Sequence, residues 1–155
     1  MQEGGRAMET PLEKIKNFIA MYPGFNILEK FQVDYTDAVP NNAGIFPSGL
    51  VEIERRTDIF GTTTVKNQYN FSLYYMLEKS PEDEAAALEN ADWIMDFQQW
   101  VQKQSAYGNG PSFGDEPWRE SITAQNGMLY DGDIEGTALY AVQLAVTFYK
   151  KYEVK

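Results

Sequence analysis

The chain has no cysteine and no histidine among its 155 residues. Without cysteine there is no disulfide framework, no thiolate zinc site and no cysteine nucleophile. Without histidine there is no imidazole ligand and no base for a Ser-His-Asp triad. Positive charge is also scarce: 13 Lys and Arg stand against 23 Asp and Glu, a formal net charge of −10. Affinity for phosphate backbones is built largely from Lys and Arg, so the balance argues against a nucleic-acid-binding surface. Long apolar runs are missing, and no stretch approaches the roughly 18 residues that a membrane-spanning helix needs. Met1–Ala7 is polar and contains glycine, unlike a secretion signal. Residues 1–8 are expected to form a flexible extension ahead of a single domain over 9–155. The lack of cysteine fits a cytoplasmic protein.

What is abundant is aromatic. Ten Tyr, nine Phe and three Trp accompany an apolar share of 43% and a charged share of 23%, enough for one compact core. Two segments alternate with period two. Val65, Tyr69, Phe71, Leu73, Tyr75 and Leu77 fall on one face of a strand over 65–77. Ala138, Tyr140, Val142, Leu144, Val146 and Phe148 do so in a strand over 137–149. Such alternation marks a sheet with one buried face.

Thr10, Pro11 and Glu13 predict a helix start, followed by the stripe Leu12, Ile15, Phe18 and Ile19 and a stop at Pro23-Gly24. A short strand is expected over 31–35, a loop rich in Pro, Asn and Gly over 36–49, and a strand over 50–59. The turn Phe60-Gly61-Thr62 then leads into the 65–77 strand. Ser80-Pro81-Glu82-Asp83 opens a long helix running to about Gln104, whose apolar face is widened by Trp93, Phe97 and Trp100. Residues 107–118 make a long loop with three glycines and two prolines, and strands follow over 120–130 and 137–149. The predicted fold is α+β: a mainly antiparallel, curved sheet of two hairpins plus a short strand, flanked by two helices.

The reactive side chains read as structural. Asp131-Gly132-Asp133-Ile134-Glu135-Gly136 begins like a calcium loop, but its twelfth position is Val142, which has no carboxylate, so a hairpin turn explains it better. Glu82, Asp83 and Glu84 suit a helix N-terminus. Glu52 and Glu54 share one strand face in a strict alternation and are read as solvated rather than as metal ligands. Arg55-Arg56 suits cross-strand pairing with acids. Gly108-Asn109-Gly110 lacks the ending of a phosphate loop and is a mobile loop or a lid. No nucleophile, base and oxyanion donor come together; no catalytic residue, cofactor or metal is expected.

Four segments carry a family likeness: Phe31-Gln32-Val33-Asp34-Tyr35, Gln68 to Tyr75, the helix end Asp96-Phe97-Gln98-Gln99-Trp100-Val101, and Ala138 to Leu144 followed by Phe148-Tyr149. In order and texture the chain resembles the tail terminator (tail completion) proteins of long-tailed bacteriophages, in particular a subgroup often labelled phage minor capsid proteins. The resemblance implies a structural virion protein with no catalytic site. It implies a homo-oligomer, a hexameric ring on the head-proximal end of the tail, which stops polymerisation of the major tail tube protein and offers a surface to head–tail connector proteins. DNA would pass through the lumen without specific binding. The virion tail would be its location, after assembly in the host cytoplasm. The long 107–118 loop and the acidic balance depart from the family pattern.

Ring subunits meet head to tail through aromatic anchors with polar rims. The candidates are Trp93, Trp100, Phe113, Trp118, Leu139 and Tyr149, with the second face of the last strand (Leu139, Ala141, Gln143, Ala145, Thr147, Tyr149) as the surface to be covered. For Trp93 and Trp100, core packing is the competing assignment. Two alternatives stand beside the ring: a connector component or tube subunit of the same particle, and a small enzyme or ligand-binding domain that uses the 107–118 loop as a lid over a deep pocket.

Overall fold

The computed structural model describes residues 10–23, 30–33, 42–78, 84–131 and 137–154. Helix α1 (Pro11–Ala20) starts as the sequence predicts. Thr10 is extended and its hydroxyl accepts the Glu13 backbone N–H at 3.2 Å, which satisfies a donor that the helix itself leaves free. Strands β1 (Lys30–Val33), β2 (Asn42–Thr57), β3 (Thr63–Glu78), β4 (Ser121–Asp131) and β5 (Thr137–Tyr152) form one sheet in the order β1-β2-β3-β5-β4. The β2–β3, β3–β5 and β4–β5 pairs are antiparallel, and β1 runs parallel to β2. Helix α2 (Glu84–Ala106) joins β3 to β4 across one face. The fold is α+β, as expected.

Alternation selects the buried face. Phe71 and Leu73 of β3 oppose Leu144 and Val142 of β5, and all four are buried. Ile15, Phe18 and Ile19 from α1, Phe97 and Val101 from α2, and Ile45 and Ile122 from the flanking strands complete the same core. Both helices therefore lie on this inner face. They are locked together by rings: Phe97 stacks on Trp93 at 5.6 Å and 4°, Tyr22 meets both edge-on, and Trp100 lies 4.8 Å from Phe18. Burial of a side chain such as Phe97 contributes about 1.5–3 kcal/mol, before the geometric preference of the stack.

Several boundaries differ from expectation. The strand expected over 50–59 starts at Asn42 and takes in part of the predicted loop. Its Pro47 and Gly49 are absorbed by a bulge between them, and among the described residues no strand other than β3 pairs with β2 beyond Ile45. A second bulge between Glu52 and Glu54 breaks the alternation. Glu52 then opposes Asn67, while Glu54 opposes Lys66 on the other face. The two acids therefore do not share a face. Each is bound within its own strand, Glu52 by Arg55 at 2.7 Å and Glu54 by Arg56 at 3.1 Å, so the arginine pairs are along the strand and not across it. Strand β1 covers Lys30–Val33, residues 34 and 35 of the expected strand lying outside the described residues, and α2 continues to Ala106. The helix start at Ser80–Asp83, the Gly132–Gly136 turn and the extension at 1–8 lie outside the described residues.

Replacing Phe97 with Ala should lower stability by about 3–5 kcal/mol, because a large cavity would open between the helices and the sheet. Urea unfolding measures this. A loss below about 1 kcal/mol would show that the aromatic stack does not join the two layers.

Candidate interaction surface

Strand β4 is a sheet edge, yet helix α2 reaches over it. The Ile122 N–H donates to the Ser105 hydroxyl at 3.0 Å, and Gln98 Nε2 donates to the Ala124 carbonyl at 3.0 Å. Two backbone groups that point away from β5 are thereby satisfied by side chains, one way in which native sheets blunt an edge. Beside this contact runs a groove of about 730 Å3 lined by Ile94, Met95, Gln98, Gln102, Ile122 and Ala124 among others, with no charged side chain among the described residues.

The 107–120 segment is bolted down. Glu120 accepts the Phe113 N–H at 2.7 Å, the Gly114 N–H at 3.2 Å and the Ser112 hydroxyl at 2.9 Å. Lys14 of α1 donates to the Ser112 carbonyl at 2.7 Å. The Asp115 N–H donates to the Tyr149 carbonyl and the Lys151 N–H to Asp115 Oδ2, each at 2.8 Å. The segment thus borders β5 where β4, whose first residue pairs with Thr147, no longer reaches. Gly114 is required there, since a Cβ would collide with the Tyr149 backbone. The cavity beneath is about 110 Å3, below the roughly 300–1,000 Å3 of small-molecule sites.

The β2–β3 hairpin ends in an exposed turn. Asp58 shapes its turn, accepting the Phe60 and Thr62 N–H groups at 2.9 and 3.0 Å, with Gly61 at φ 90°. That turn leaves Ile59 94% and Phe60 84% exposed. Leu50, Val51 and Ile53 on the same arm are exposed as well, as are Tyr152 and Val154 of the chain end beside it. An apolar concentration of this kind marks an interaction surface.

The six anchors read from the sequence are not brought together. Trp93 is buried in the core, as its competing assignment had it. Trp100 and Phe113 are partly buried against that core, Phe113 lying 5.6 Å from Phe148. Tyr149 is half-buried beneath Arg119, whose guanidinium sits 3.8 Å from the ring centre. Trp118 is exposed on a short 3-10 turn. Leu139 pairs with Met76 and Asp131, and its side chain is outside the described residues. The second face of β5 is turned away from both helices; Ala141 is buried, Ala145 and Thr147 are half-buried, and Ser72 donates to Gln143 at 3.0 Å. Sequence reasoning missed the hairpin end, although two large apolar residues beside a turn glycine were a visible signal.

Among the described residues no three or more acidic side chains are grouped to hold a metal ion, and no helix is long and apolar enough to cross a membrane. No family model matches the chain, and no curated protein matches its sequence.

Two outcomes follow from the bolted segment. Glu120→Ala strips three donors of their acceptor and should cost about 1–3 kcal/mol, read as faster hydrogen exchange at Phe113 and Gly114; unchanged exchange would show that the carboxylate does not hold the segment. The Lys151 N–H, and after it the Lys150 and Lys151 ammoniums, hold the Asp115 carboxyl below the ordinary aspartate range. Its contribution is therefore complete above that range and is lost as pH falls through the lowered value. Exposure keeps it below about 1 kcal/mol. Asp115→Asn should flatten the acid limb of the stability–pH curve, and an unchanged limb would overturn the assignment.

Proposed function

We propose that this protein is a ring-forming structural subunit of a phage tail, of the tail terminator kind, which caps the head-proximal end of the tail tube. The observation that carries the proposal is the β2–β3 hairpin end. A well-filled core sits behind it, so its exposed Ile59 and Phe60 are not needed for the chain's own packing. A surface of that kind suits permanent association with other chains. The order helix, hairpin, helix, hairpin agrees with the family likeness of the sequence. On this reading the partners are other copies of the chain, the major tail tube protein on one side of the ring and connector proteins on the other. The role is mechanical: to end tube growth and provide the joining surface, with no catalytic step. The acidic balance of −10 suits a lumen through which DNA passes without adhering.

Negative-stain microscopy tests this. The purified protein should form rings of about six subunits, alone or at one end of tail tubes, and tubes assembled without it should exceed their normal length. Long tubes built from this chain alone would make it a tube subunit. A protein that stays monomeric and leaves tube length unchanged would overturn the proposal.

A further inference from the structure

The hairpin end and the α2–β4 groove lie on opposite flanks of one chain. Strands β2 and β4 are separated by the β3–β5 pair. The turn is level with Tyr152, whereas the groove lies beside the rows of Gln143–Val146. A tip so placed cannot fold back into its own groove, and any contact between the two surfaces joins different copies.

Three observations match them. The first is electrostatic. Two copies, each of net charge −10, repel except where surfaces are neutral. Among the described residues no charged side chain lines the groove. On the arm, Arg55 and Arg56 neutralise Glu52 and Glu54, and Lys66 stands opposite Glu54 to balance Asp58. Among the described side chains of α2 the exposed charged groups are Asp92, Asp96 and Lys103, and none of the three lines the groove.

The second is shape. Ser105 and Gln98 already occupy the Ile122 N–H and the Ala124 carbonyl of β4, so an added strand cannot complete its ladder at those positions. The groove receives side chains, and the turn offers two at its apex. The third is exposure. Ile59 and Phe60 are 94% and 84% exposed, so both present nearly their whole surface for burial in the groove.

We propose that Ile59 and Phe60 of one copy seat in the groove between α2 and β4 of the next, head to tail. This contact rests on the ring reading and specifies its subunit interface. Because the two surfaces differ, it is heterologous and propagates around a closed ring.

The absence of cysteine makes the test clean, since introduced thiols are the only ones present. Phe60→Cys and Met95→Cys proteins, prepared separately and mixed, are treated with a short bis-maleimide. The mixture should yield covalent dimers far more readily than either protein alone, and the double variant a ladder ending at the ring. Ile59→Asp with Phe60→Asp should weaken association at least about tenfold in sedimentation while circular dichroism stays unchanged, because both side chains are exposed. Rings that survive the double aspartate variant, or cross-links dominated by Phe60→Cys with itself, overturn this contact and leave the ring standing. A wild-type protein that remains monomeric at every concentration and never joins tubes overturns both.

Discussion

The fold depends on helix α2 meeting strand β4 in two ways at once. Its apolar side, through Ile94, Phe97 and Val101, closes the core against the inner face of the sheet. Its polar side, through Gln98 and Ser105, takes up backbone groups at the sheet edge. A helix that merely lay on the face would leave those groups to water and the edge open to another strand. Because one helix does both, its position over the sheet is set by hydrogen bonds as well as by packing, and hydrophobic contact alone is non-directional. Helix α1 then has a single place to go, against the ring stack that α2 presents: Phe18 meets Trp100, and Tyr22 meets Trp93 and Phe97.

The two ends of the sheet are treated differently. At the β5 end, the 107–120 segment replaces the strand that β4 does not supply, held by Glu120, Asp115 and the backbone of Tyr149. Nearby, Arg119 on Tyr149 and the pairs of Glu116 with Arg119 and Lys151 add a polar seal. The β2–β3 arm has no such cover. It keeps its shape through local means, the Asp58 turn, the arginine–glutamate pairs and the ladder between its two strands, and leaves its apolar groups outward. Rigid local geometry with unsatisfied apolar surface is a pre-organised contact, since little entropy remains to be lost on docking.

The core was legible in the sequence because period-two and helical spacing report burial directly. Phe71, Leu73, Val142, Leu144 and Val146, with Ile15, Phe18 and Phe97, lie where spacing put them. Strand β2 was only partly legible. Pro47 and Gly49 signal a loop in isolation, and only the bulge between them in the pairing with β3 lets the strand hold them. Bulges insert a residue without a sequence mark, so Glu52 and Glu54 were set on one face when they lie on two. The candidate surface was the least legible part. An aromatic residue carries the same label in a core as on an interface, and Trp93 went to the core while Ile59, read as a strand end, and Phe60, read as part of a turn, stayed outside. Edge capping by Gln98 and Ser105 is a tertiary event, invisible before α2 is placed over β4.

The capped edge of β4 has a consequence for how precisely neighbours can be set. Strands that zip together edge to edge can slide by two residues and keep the same alternation of faces, which gives several registers of similar energy. With Ser105 and Gln98 bound to the Ile122 and Ala124 groups, a strand could not complete its ladder there, and a neighbour on that flank would have to be placed by side chains. On the proposed contact each added copy would turn by the same angle as the last, and the chain of subunits meets its own beginning only where that rotation closes; otherwise it winds on as a spiral.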